Sequence, residues 1–129
     1  MTIINNYGSL IGRLFISLIF LMAGLSKITG YAGTQGYMEA MGVPGALLPL
    51  VIVLEVVGAL AIIIGYQTKL VAFLLAGFSI VSALLFHFNF SDQIQSIMFM
   101  KNIAIAGGFM FLVVHGAGNF SIDNKLANK

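Results

Sequence analysis

Four long apolar stretches separated by short polar segments set the pattern of this chain. They cover residues 10–28, 46–66, 69–88 and 97–115. Each approaches the roughly 20 residues that a helix needs to cross the hydrocarbon core of a bilayer. Lipid offers backbone amides and carbonyls no partner, so segments of this kind are expected to be helical.

The connections differ in character. Gly65-Tyr66-Gln67-Thr68 reads as a tight turn, with Gly65 suited to end one helix and Thr68 to cap the next. It makes the second and third helices antiparallel neighbours. Segment 29–45 is longer, and within it residues 34–41 predict a short helix with an apolar edge of Tyr37, Met38 and Met41. That helix is expected to lie in the membrane interface and to end at Gly42-Val43-Pro44. Segment 89–96 is polar and carries Asp92, and residues 116–129 are polar and expected to leave the membrane. The predicted fold is one all-α domain, a four-transmembrane-helix bundle with a short interfacial helix between helices 1 and 2.

Composition supports the same reading. Hydrophobic residues make up 60% of the 129 and charged residues 8%, against about 25% charged in soluble domains. So few charges cannot cover a water-facing exterior, so the lipid bilayer is the expected surrounding. The net charge of +2 comes without a basic cluster, which argues against nucleic acid as a partner. Cysteine is absent, so the chain by itself performs no thiol exchange, and a redox role would need a bound cofactor or a redox partner protein. No basic residue precedes Arg13, so segment 10–28 is expected to be a retained first helix rather than a cleaved signal. Lys69, Lys125 and Lys129, with Arg13 nearby, favour both termini in the cytoplasm, as in a multi-pass protein of a bacterial inner membrane.

The candidate chemistry lies in the few ionisable groups within the apolar runs. A charge near the bilayer centre costs at least ~2.5–3.5 kcal/mol by insertion scales, so such groups need partners or water. Helical phase places Arg13, Ser17, Phe20, Gly24 and Lys27 on one face of the first span. Ala72, Ala76, Ala83 and His87 share a face of the third, flanked by Ser79, and Gly58 and Ala59 follow Glu55 on the second. Lys101, Gly108, Leu112 and His115 align on the fourth. Small residues let membrane helices approach closely, so these faces should meet inside the bundle.

Depth suggests two groups. Arg13 could reach Glu55 near mid-membrane, either as a pair that polarises a ligand or relays protons, or as a staple that neutralises both charges and fixes helix packing. Lys27, His87, Lys101 and Asn102 fall in the outward half, near Asp92, and could form a pocket for an anion or a quinone carbonyl. The alternative is that Lys27 and Lys101 snorkel to the headgroups. The candidate catalytic set is thus Glu55, Arg13 and His87, with Lys27, Lys101 and Asn102 binding ligand. His115 lies at the other end of the bundle from His87, most of the ~30 Å core away, so no haem or metal is expected between them. The methionines and phenylalanines read as packing residues.

Arg13-Leu14-Phe15, Phe20-Leu21-Met22-Ala23-Gly24-Leu25-Ser26-Lys27, Tyr37, Met41-Gly42-Val43-Pro44, Leu54-Glu55, Gly58, His87, Lys101-Asn102 and Ala106-Gly107-Gly108 follow one another in an order that resembles the DoxX family of small bacterial membrane proteins. The resemblance runs from Arg13 to Ser121-Ile122-Asp123. It implies four membrane helices and a link to redox chemistry, since relatives are associated with thiosulfate:quinone oxidoreductase and with membrane oxidoreductase complexes. The polar set Arg13, Lys27, Glu55, His87, Lys101 and Asn102 matches the family pattern.

Three functions compete at this level. One is a quinone-linked redox module with its ring against Phe20, Phe86 or Phe88. Another is a carrier of a small anion or lipid-like molecule. The third is a noncatalytic anchor or assembly subunit, in which the polar cluster only holds helices together. Exposed small-residue faces would permit a homo-oligomer without specifying one.

Overall fold

A computed structural model describes residues 2–127. Helices α1 (Thr2–Thr29), α3 (Leu48–Ile64), α4 (Thr68–Phe86) and α5 (Gln93–His115) form the bundle. Helix α2 (Tyr31–Ala40) and a 3-10 turn (Gly45–Leu47) lie between α1 and α3, and α6 (Ile122–Ala127) ends the described chain. Four segments, Ile3–Thr29, Gly45–Ile64, Thr68–Phe86 and Gln93–His115, are long and apolar enough to cross a membrane. The all-α four-helix expectation therefore holds. The outer surface is apolar, with Phe15 74%, Phe111 70% and Ile94 71% exposed.

Helix ends differ from the expectation where tertiary or local polar partners extend them. Helix α1 begins before residue 10 because the C-terminal tail supports its polar first turns. Asn119 Nδ2 donates to Asn6 Oδ1 at 2.7 Å, and Tyr7 meets Phe120 edge-on at 5.2 Å. Helix α5 begins at Gln93 rather than 97, because the Asp92 carboxylate accepts from Ile94 N at 3.0 Å and caps it. Helix α2 starts three residues before the expected 34 and buries Met38.

Helix α1 packs on α3 and α4 on α5, α3 meets α4, and α1 and α5 barely touch. Residues Arg13, Ser17, Phe20 and Gly24 are buried and Lys27 half-buried, so the polar stripe foreseen on α1 faces inward. Phe20, Ala59, Leu75, Ala76 and Phe109 belong to the core, with the Phe20 and Phe109 rings 5.5 Å apart. Gly24 sets the approach of α1 to α3, and Gly108 lies at one of the few places where α5 meets α1. A Cβ on Gly24 would stand 2.5 Å from Val56 Cγ2 and 3.2 Å from Glu55 Cβ, and one on Gly108 would stand 2.7 Å from Ile16 Cδ1.

The end of the bundle that holds the termini is locked by two side chains from distant parts of the chain. Arg13 donates through Nη1 to Ile62 O at 3.1 Å and Ile63 O at 2.8 Å, and through Nη2 to Phe120 O. It thereby satisfies carbonyls at the C-terminus of α3, where a helix leaves them without partners. Gly65 ends α3 in the left-handed region at φ 74°, as expected.

Thr68 does not cap α4. It is the helix's first residue, and its buried hydroxyl has no hydrogen-bond partner. Asp123 takes the capping role instead, accepting from Gln67 N at 2.7 Å and Thr68 N at 2.8 Å. Its own backbone N donates to Gly65 O at 2.8 Å. Partial desolvation pushes the Asp123 carboxyl up, but the Thr68 and Gln67 amides and the Arg13 charge outweigh it and hold the group below its ordinary range. The tail is thus bound back onto the helix hairpin rather than simply leaving it.

Candidate functional site

The expected Arg13–Glu55 pair does not form. Lys27 Nζ lies 2.7 Å from Glu55 Oε1 and takes that place. Helix spacing explains the exchange. Gly24 brings α1 against α3 at Glu55 and Val56, and Lys27 lies one turn further along the same face. Arg13 lies about 16 Å back along α1 from that contact, at 1.5 Å per residue. It therefore meets Ile62 and Ile63, near the end of α3, instead of Glu55.

The ion pair is unequally buried, with the Lys27 side chain 26% exposed and that of Glu55 4%. Two cavities share it. A volume of about 350 Å³ opens between α2, α3 and the C-terminal half of α4, with Thr34, Tyr37 and Met38 on one side and Val51, Ser82 and Phe86 on the other. Tyr37 and Phe86 stack within its lining at 5.5 Å. A smaller volume of about 200 Å³ lies towards α1 and α5 and is lined by Phe20, Ser79, Lys101 and Asn102 among others. Lys27, Glu55, Phe78, Ser82 and His87 line both. The result is two adjoining cavities, a mostly apolar lobe and a more polar one, whose walls share a carboxylate and an ammonium.

The polar groups keep hydrogen-bonding capacity for a ligand. The Lys27 ammonium has three donors and gives one to Glu55. His87, immediately after α4, pairs Nδ1 with Gln95 Oε1 at 2.8 Å. With the proton on Nδ1 the neutral ring leaves Nε2 as an acceptor. Among the described residues, Lys101 has no carboxylate partner and neither it nor Asn102 makes a side-chain hydrogen bond. Lys27, His87, Lys101 and Asn102, expected near one another, line one space together with Glu55, which was expected beside Arg13, while Arg13 lies apart at the terminal end.

Some expected neighbours are elsewhere. Asp92 caps α5 and lines neither cavity. Phe88 meets Phe90 edge-on and Phe99 at a tilt, outside both linings, whereas Phe20 and Phe86 do line them. His115 stacks on Phe111 at the far end of α5. Sequence reasoning missed Gln95, which it placed in a loop. The signal was Asp92, whose position two residues before Ile94 is that of a helix cap. Ser82 was also missed, although it lies one turn after Phe78 and one before Phe86 on the α4 face that lines the cavity.

Comparison with known proteins adds a family. The DoxX family model matches residues 8–88. The chain is 52% identical over 126 residues to the Escherichia coli (strain K12) protein named "Inner membrane protein YqjF", covering 98% of this chain and 97% of that one. It is 34% identical over 123 residues to "Inner membrane protein YphA" of the same strain, covering 90% and 88%. A Bacillus subtilis (strain 168) protein named "Putative oxidoreductase CatD" is 30% identical over 69 residues, covering 54% of this chain and 52% of that one. No solved structure matches.

Proposed function

The chain belongs to the DoxX family, and from that premise we propose that it is an inner-membrane, redox-associated subunit whose two-lobed cavity holds a quinone. The inner-membrane relatives and the four apolar helices support the location. The lysine and arginine bias supports cytoplasmic termini, which puts the cavities in the half facing away from the cytoplasm.

The observation that carries the reading is the junction of the lobes at Lys27 and Glu55. The larger lobe is apolar, has an aromatic stack beside it, and falls within the ~300–1,000 Å³ range of small-molecule sites. Part of its lining is exposed on the bundle's flank, Val81 by 53%, Leu85 by 45% and Leu47 by 44%, so a ligand dissolved in lipid has an apolar way in. A planar ring would lie against Tyr37, Phe86 and Phe78. Its carbonyl would accept a hydrogen bond from the Lys27 ammonium, and Glu55 and His87 would exchange protons with it.

Such a ligand accepts two electrons and two protons when reduced. This chain supplies binding, orientation and the proton-exchanging groups, and a redox partner protein supplies the electrons. The similarity to a protein named as an oxidoreductase supports the redox association.

The direct experiment is a titration of the purified protein in lipid nanodiscs with a short-chain quinone, read by calorimetry. Saturable binding to the native protein and its loss in Val51→Trp, which fills the apolar lobe, are expected. A native protein that binds no quinone would overturn the reading and leave the cluster as a packing device of an anchoring subunit.

A further inference from the structure

Charge in the shared cavity is not balanced. Glu55 brings one negative charge and is already paired with Lys27. Lys101 brings a second ammonium to the polar lobe, with no carboxylate within ion-pair distance among the described residues. Asn102 follows it on α5 and lines the same lobe, and among the described residues its side-chain amide has no partner. His87 is the remaining titratable group there, and its Nδ1 is occupied by the neutral Gln95. Among the described residues, no acidic side chain other than Glu55 lines either cavity. An ammonium within a spanning helix needs a partner or water, and the open lobe beside Lys101 leaves room for an anionic partner.

We infer that the ligand is an amphiphilic anion, an apolar ring or chain bearing one ionised oxygen group, with the body in the apolar lobe and the anion between Lys101 and Asn102. This rests on the quinone reading above and narrows it, because a neutral quinone would leave Lys101 without a counter-charge. The two lobes suit a single molecule of that shape. The body would lie against the Lys27–Glu55 pair that both cavities share, with Lys27 holding a neutral carbonyl and the anion reaching into the 200 Å³ more polar lobe. Asn102 supplies amide N–H donors beside the ammonium, and charge-assisted bonds of that kind are about twice as strong as neutral ones.

The experiment uses a matched pair, a naphthoquinone carrying a propionate side chain and its methyl ester. Both are titrated into the native protein in zwitterionic nanodiscs at a pH where the acid is ionised. The acid is expected to bind about tenfold or more tightly than the ester, a factor that one charge-assisted bond readily supplies. Lys101→Met should bring acid and ester to the same affinity, and Lys101→Arg should restore the preference. A cooperative thermal unfolding transition close to that of the native protein shows that Lys101→Met folds.

Equal binding of acid and ester by the native protein overturns the proposal but leaves the quinone site standing. So does a preference for the acid that survives in Lys101→Met. If neither compound binds, both readings fall. Benzoate, an anion without the large apolar body, should bind far more weakly than the acid, and equal binding of benzoate would overturn the single-molecule arrangement.

Discussion

Lys27 Nζ stands 2.7 Å from Glu55 Oε1, yet the carboxylate side chain is 4% exposed and the lysine 26%. That difference predicts unequal consequences for the two halves of the pair. Lys27→Met strands a carboxylate in the interior and should cost about 3 kcal/mol, the lower part of the range for breaking a buried pair. Glu55→Gln leaves a partly exposed ammonium that can lean towards the headgroups, and should cost about 1 kcal/mol. The double variant should be more stable than Lys27→Met alone. Denaturation of the four proteins in one detergent gives the coupling directly.

Gly24 controls whether that pair can form. Gly24→Ala puts a methyl group 2.5 Å from Val56 Cγ2, a β-branched side chain with little freedom to move. Overpacking of this kind costs about 1–3 kcal/mol, and pushing α1 away from α3 should also weaken ligand binding in the cavity. Gly107→Ala is the matched control, since a Cβ there meets nothing within 4 Å. Equal stability of the two variants would show that the close approach carries no weight.

Arg13 is bound to carbonyls and lies away from the cavities at Lys27 and Glu55. Arg13→Met should lower stability by about 2–4 kcal/mol, through several lost charge-assisted bonds and exposed helix-end carbonyls. It should loosen the tail, seen as faster proteolysis near Lys125, while leaving ligand affinity in the folded fraction unchanged. Loss of affinity without loss of stability would return Arg13 to the binding machinery.

Asp123 makes the docking of the tail depend on pH. Its carboxyl is held below its ordinary value, so its contribution is full above that ordinary value and is lost as pH falls through the lower, folded value. Protonation removes the acceptors for Gln67 N and Thr68 N, and their amide resonances should move together on acidification below about pH 4. In Asp123→Asn that transition should be absent, and α4 should fray at its start at neutral pH. A transition that persists in the variant would belong to another group.

The legibility of this chain follows the range of the interactions involved. The α1 stripe of Arg13, Ser17, Phe20, Gly24 and Lys27 was readable because helical periodicity is local, and so was the left-handed glycine at Gly65. Convergence of Lys27, His87, Lys101 and Asn102 was readable because antiparallel spans put the end of one helix beside the start of the next. The start of α5 was only half-readable, since Asp92 can serve equally as a loop residue or as a cap.

The sequence by itself determined the number of spans, the lipid-facing exterior and which faces turn inward, because composition and period carry that information residue by residue. The tertiary structure decided which cation meets Glu55, since both Arg13 and Lys27 have stems long enough to reach a carboxylate and only the close contact at Gly24 sets their heights. It also decided that Asp123, rather than Thr68, caps α4, because a cap supplied 55 residues away leaves no local trace.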